Sequence, residues 1–317
     1  MRARLLIVLA AAVLAAAWLP AERAAAQISI LGLKNSMVQF LLEQISVPGE
    51  FEVTAEAVEE PEDGVTSLVG VTVSDGQGVW LRIGEARLNW SPLRLLRGEI
   101  EIGELGATDV ELLRLPVTPP ATEPETPEED ASDDPFAWPR APLALHVRDI
   151  ALQRVSIAPG LFAEQGLAFD ATGAARDEGD FQSARLSLRR TDQVAGRIQL
   201  EYLRRFETPS LLIALTAQEA PGGLVAELAG LPASSASRVN LRAEGPFDAW
   251  QVRLSAEADR ILSVTGLLTI DAQDSLSAVA SLTATPGPEL DPALAAALEP
   301  RARLAFRASE GEGGLVT

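Results

Sequence analysis

DGQGVWLRIGEARLNWSPLRLLRGEIEIGELGATDVELLRLP, residues 75–116, carries the spacing that decides the fold. Its apolar positions advance by two, three, two, three and two. The first run is Leu81, Ile83, Ala86, Leu88, Ser91 and Leu93; the second is Ile100, Ile102, Leu105, Ala107, Val110 and Leu112. A third run, Leu145, Val147, Ile150, Leu152, Val155 and Ile157, resumes the spacing after an acidic interruption and is the cleanest. On a helix, at about 100° per residue, these positions scatter around the whole circumference. As strand they make sense: each pair faces one side, and the extra residue is a turn or bulge that resets the face. The expected fold is therefore mainly β, an elongated antiparallel curled repeat sheet with an open groove and a short N-terminal helix.

The 317 residues, 47% of them hydrophobic, suffice for a substantial core. Only 5% are aromatic, so the apolar surface is built from Leu, Val, Ile and Ala. A formal net charge of -19 argues against a nucleic-acid partner, which needs clustered Lys and Arg, and against electrostatic docking on anionic lipid. With no Cys there is no disulfide framework, thiolate metal site or cysteine nucleophile.

Residues 1–27 read as a signal peptide or signal anchor. Arg2 and Arg4 precede the apolar run Leu5 to Leu19, and Ala24-Ala25-Ala26 resembles a cleavage site. Residues 28–116 form an N-terminal helix plus β segment. Within it, Ser36 to Val47 is helical, with Leu33, Met37, Phe40, Leu41 and Ile45 on one stripe, expected to plug one end of the sheet. Phe51-Glu52-Val53 and Val69 to Val73 alternate as strands, with a turn at Pro61-Glu62-Asp63-Gly64. Residues 117–142, with Glu123, Glu125, Glu128, Glu129, Asp130, Asp133 and Asp134 among repeated prolines, form an acidic loop expected to stay solvated rather than bind Ca²⁺. Residues 143–317 are repeat sheet: Ala184 to Leu188, Ile198 to Tyr202, Leu211 to Leu215, Val239 to Ala243, Val252 to Ala256 and Leu268 to Ile270 all alternate. A short Ala-rich helix is expected at Pro292 to Leu298. The sheet reaches Thr317 without a capping element, which reads as the mark of a longer parent protein.

No catalytic constellation emerges, and no catalytic, cofactor-binding or metal residue is assigned. His146, the single histidine, alternates with Leu145 and Val147 inside a strand and reads as structural. Asp75-Gly76-Gln77-Gly78 lacks the third glycine of a phosphate loop and reads as a hairpin turn. Trp80 and Trp90 flank an apolar strand and read as core or edge anchors rather than sugar platforms. No Asp or Glu stands in a context distinctive of glycoside hydrolysis.

Several stretches resemble the TamB family, the translocation and assembly module subunits among AsmA-like envelope proteins. They are Asp75 to Leu81, Leu88-Asn89-Trp90-Ser91-Pro92, Leu95-Leu96-Arg97-Gly98, Arg114-Leu115-Pro116, Trp138 to Leu143 and Gly245 to Trp250. They occur in the family's order and span most of the chain from about residue 28. The resemblance implies a periplasmic protein attached to the inner membrane, not an enzyme. It also implies phospholipid movement between the inner and outer membranes, outer-membrane protein assembly and secretion, and the barrel protein TamA as partner through a C-terminal region absent here. On this reading acyl chains slide along Leu81, Ile83, Leu88, Ile100, Ile102, Leu105, Leu145, Val147, Ile150, Leu152, Val155 and Ile157, with no cofactor. Two other readings compete: a β-augmentation scaffold for barrel clients without lipid carriage, and a secreted β-sandwich enzyme acting on envelope polysaccharide.

Overall fold

The computed structural model describes residues 51–62, 64–117, 143–246, 248–271, 277–298, 302–311 and 314–316. The leader, the expected helix at Ser36 to Val47 and most of the acidic loop lie outside them. The described chain forms one long curled sheet that does not close. Its first strands are β1 (Glu52–Thr54), β2 (Ala57–Glu62), β3 (Val65–Asp75), β4 (Gly78–Trp90), β5 (Glu99–Leu112) and β6 (Ala144–Ile157). Then come β7 (Leu167–Asp177), β8 (Phe181–Arg190), β9 (Gly196–Arg205), β10 (Ser210–Glu219) and β11 (Ser237–Pro246). The last are β12 (Ala249–Ala258), β13 (Leu262–Asp271), β14 (Ser277–Pro286), β15 (Ala302–Gly311) and β16 (Gly314–Val316). From β3 onward each strand pairs with the next in sequence, while β1 and β2 lie end to end along the free edge of β3. Pro61 is tolerated in β2 because that strand has one neighbour only, so no second ladder loses a donor.

The spacing of two and three has a direct structural cause in β6. Against it, β7 presents a regular series of alternate residues: Ala175, Gly173, Ala171, Phe169 and Leu167 face Val147, Ile150, Leu152, Val155 and Ile157. The register shifts between Val147 and Ile150 and again between Leu152 and Val155, so each extra residue of β6 is a bulge. Arg154 adopts φ 52 at the second bulge and Asp109 adopts φ 53 in the adjacent β5. Arg154 donates to both Asp109 carboxylate oxygens, at 2.6 and 2.8 Å, across the bulged pair. The left-handed conformation is costly for a side chain branched at Cβ. Arg154→Val therefore lowers the melting temperature by several degrees while Arg154→Gly, which loses the same ion pair, leaves it nearly unchanged; thermal unfolding of the two variants measures the difference.

The first run is degenerate because its last pair leaves the strand. Trp90 closes β4 opposite Ile102. Ser91 then caps a 3-10 segment, Pro92–Arg97, and Leu93 points to solvent. Asp75 and Gly78 bracket a two-residue hairpin turn in which Asp75 Oδ1 accepts from the Gln77 N–H at 2.8 Å. Asp75 also receives the Val117 N–H at 2.8 Å and the Arg114 guanidinium. These donors, Arg114 foremost, hold the Asp75 carboxyl well below the ordinary carboxylate range and tie the start of the acidic loop to the hairpin.

One step departs from the expected antiparallel order. β5 and β6 run parallel, from Glu99 opposite Ala144 to Leu112 opposite Ile157. A hairpin cannot join parallel neighbours; the chain must return along the full length of the strand. The acidic stretch therefore lies in sequence between two parallel neighbours of one sheet.

Two short helices complete the described chain, α1 (Leu224–Leu228) between β10 and β11 and α2 (Pro292–Leu298) between β14 and β15. The second coincides with the Ala-rich helix expected there. Asp291 Oδ1 accepts from the Ala293 and Leu294 N–H groups at its start, with proline in the first turn. Among the described residues no helix is long and apolar enough to cross a membrane.

Candidate functional site: an apolar face bounded by buried polar rows

Directly opposed residues of paired strands share a face, so the registers define rows that run across the sheet. The central row passes through Leu105 and Ile150, then Leu186, Leu200, Leu215, Leu241, Leu254, Leu282 and Leu304, with Gly173 and Gly266 at its two gaps. One flanking row carries Leu188, Ile198, Ala217, Val239, Ala256 and Val264. The other carries Ala184, Tyr202, Ile213, Ala243, Val252 and Leu268. Along β6 to β15 the band extends about 43 Å, at about 4.8 Å per strand, with its outer rows about 14 Å apart.

The opposite face is mostly polar, with Leu267 and Val279 exposed among its polar residues. On β12, Gln251, Arg253, Ser255 and Glu257 are exposed, whereas Val252, Leu254 and Ala256 are half-buried. Glu244 accepts from both Arg242 and Arg253 at 2.7 Å on that outer face, and Arg238 pairs with Glu257 at 3.4 Å. Such exposed pairs contribute little stability and are screened by salt. They keep the outer face wet.

Enclosure of the apolar face falls along the sheet. All twelve residues expected to line a groove lie on this face. Around β6 they form buried clusters: Leu145, Val147 and Ile150 pack with Ile100, Ile102 and Leu105, while Val155 and Ile157 pack with Leu112, Phe169 and Ala171. Leu81, Ile83, Leu88 and Leu152 are half-buried. From β9 onward most of the same rows are half-buried, with Ala217 and Ala243 buried, Leu282 exposed on β14, and on β15 Leu304 66% and Phe306 46% exposed. Half-buried apolar surface thus continues over the later strands, among them Leu200, Leu215, Leu241 and Leu254. Their strands alternate visibly in the sequence, but only the register aligns them into one band.

Over β7 to β10, polar side chains on this same face border the band on both sides, and sequence reading missed them. On one side Gln182 Nε2 donates to Asp177 Oδ2 at 3.0 Å, Tyr202 Oη donates to Gln182 Oε1 at 3.3 Å, and Arg204 lies 4.8 Å from the centre of the Phe206 ring. Asp177, Gln182 and Arg204 are all at most 5% exposed. Burial raises the Tyr202 phenol above its ordinary pKa. On the other side Arg190 bridges Asp192 at 2.7 Å and Glu219 at 2.9 Å, and Glu219 Oε2 accepts the Val225 N–H of α1 at 2.7 Å. Burial pushes the Asp192 carboxyl up, but Arg190 and the N–H groups of Ala168 and Val194 outweigh it and hold it below the usual range. Beyond this row, the loop 158–166 brings Leu161 and Phe162 onto the cluster of Leu112, Val155, Ile157, Phe169 and Ala171, and its Glu164 N–H reaches Glu227 of α1 at 2.8 Å.

His146 sits on β6 with Nε2 3.0 Å from Glu178 Oε1, far from any nucleophile–base pair. Trp80 stacks edge-on with Phe51 at 6.2 Å and packs on the Leu112 cluster. Among the described residues no group of three or more His, Asp or Glu is arranged to hold a metal ion. No family model, curated protein or solved structure matches the chain.

Proposed function

We propose that the apolar band is a path for phospholipid acyl chains, and that the protein serves envelope biogenesis by passing lipid between the inner and outer membranes. The observation that carries this reading is the continuity of three apolar rows across successive strands, half-buried on one face of a sheet that does not close. Burial of a methylene is worth about 0.8 kcal/mol and has no direction. A chain lying in the band is therefore held by contacts that have no preferred direction along it, so it can slide from strand to strand. The buried polar rows set the band's width, because a methylene that strays onto Arg190 or Gln182 gains nothing. In this reading no residue is catalytic, and the TamB-like stretches supply the envelope setting and the link to outer-membrane protein assembly.

Native mass spectrometry of the purified full chain tests it. The expected result is protein with bound phospholipid that survives gentle activation. Lipid-free protein that still captures unfolded barrel peptides would support the β-augmentation scaffold instead.

A further inference from the structure

We propose that the 3-10 segment Pro92–Arg97 is a bilayer-docking foot, with Leu93 and Leu96 entering the interfacial region of a membrane and Arg97 meeting lipid phosphate. A 3-10 helix has three residues per turn, so side chains three apart stack on one edge. Leu93 and Leu96 form such an edge, and Arg94 and Arg97 form the next. The two leucines are 73% and 74% exposed, the most exposed large apolar residues of the described chain. Their neighbour Arg97 is exposed and, among the described residues, makes no hydrogen bond or ion pair.

The segment is held rigidly enough to present this edge. Arg94 pairs with Glu99 at 3.2 Å and Glu101 at 2.7 Å, and Gly98, at φ 74, returns its N–H to Leu95. The ion pairs use up Arg94 and leave Arg97 free to face a ligand. Charge complementarity selects the occupant. The chain as a whole is strongly acidic, at -19, yet the segment carries no acid and, with Arg94 paired to Glu99 and Glu101, presents Arg97 as an exposed positive charge. Such a local reversal beside bare leucines suits an anionic interface with an apolar interior. Two leucines present far less area than a stable protein–protein contact buries. They act as an orienting contact for a chain whose apolar N-terminal run is expected to meet the membrane first. This inference stands apart from the groove reading, because a chain that carries no phospholipid can still dock.

The absence of cysteine makes the test clean. Leu93→Cys in the full chain is labelled with the environment-sensitive dye NBD, and Ser255→Cys on the polar face of β12 serves as control. Each is bound to vesicles of mixed phosphatidylcholine and phosphatidylglycerol, with and without lipids bearing a shallow nitroxide quencher. The expected result is a blue-shifted, brightened emission at position 93 that loses most of its intensity to the quencher. Position 255 stays water-like and unquenched. Adding Arg97→Glu weakens the shift at position 93. Water-like emission at position 93 on vesicle-bound protein overturns the proposal, as does failure of the labelled chain to bind the vesicles. A blue shift that needs no vesicles and grows with protein concentration also overturns it, because the leucines then face a second copy of the chain.

Discussion

Protein carrying Leu215→Arg and Leu241→Arg retains its sheet but loses bound phospholipid. These residues are directly opposed on β10 and β11, in the central row of the band. Both are half-buried, so long arginine side chains can reach water at the open side instead of unfolding the strands. An acyl chain crossing the pair must then lie against two guanidinium groups and leaves them poorly hydrated. Removing an unpaired charge from water is costly, and a penalty of about 1.4 kcal/mol already means a tenfold loss. We expect the lipid-bound fraction to fall by roughly tenfold or more on that arithmetic. The control is Gln251→Arg with Ser255→Arg, on the polar face of β12, which leaves bound lipid unchanged. Native mass spectrometry with circular dichroism separates loss of lipid from loss of fold.

The second large effect concerns stability. Arg190→Ala strands two carboxylates beside each other, because Arg190 alone bridges Asp192 and Glu219. The Arg190 and Glu219 side chains are 8% and 1% exposed, so water does not replace the lost partner. Breaking a buried pair from one side typically costs about 3–5 kcal/mol. Arg190→Met combined with Glu219→Gln restores most of that loss. The more deeply buried carboxylate is then neutral, and the amide oxygen introduced by Glu219→Gln still accepts the Val225 N–H. Asp192 keeps the N–H groups of Ala168 and Val194. Urea unfolding of the three proteins resolves the order wild type, double variant, single variant. Equal stability of the single and double variants would show that the cost lies in packing and not in charge.

Much of the fold was legible because it is written in local spacing. The run from Leu145 to Ile157 predicts bulges, and Arg154 at φ 52 with two register shifts supplies them. The helix at Pro292 announces itself through its run of alanines, and the structure adds Asp291 as its cap. The six alternating segments from Ala184 to Ile270 fall inside β8 to β13. What stayed hidden depends on register or on segments too short for a period. Strand β7 is rich in small residues, Ala and Gly, chosen to sit under the bulged β6 rather than for strand propensity. Helix α1 has five residues, little more than one turn. The parallel direction of β6 beside β5 is a matter of pairing, which no periodicity encodes. Gln182 and Arg204 had no part in the sequence reading, and only the register places them opposite one another on the apolar face. The site was legible to the same degree. Its face was visible in the early runs, but its continuation over Leu200, Leu215, Leu241 and Leu254 needed the alignment of strands to appear.

The most direct test places a photoreactive amino acid at each position from 252 to 257 along β12 in cells and identifies what it captures. Side chains alternate between faces along a strand. The account predicts phospholipid adducts at 252, 254 and 256 and none at 253, 255 and 257. Adducts at every position, or at none while the sheet is intact, would contradict it.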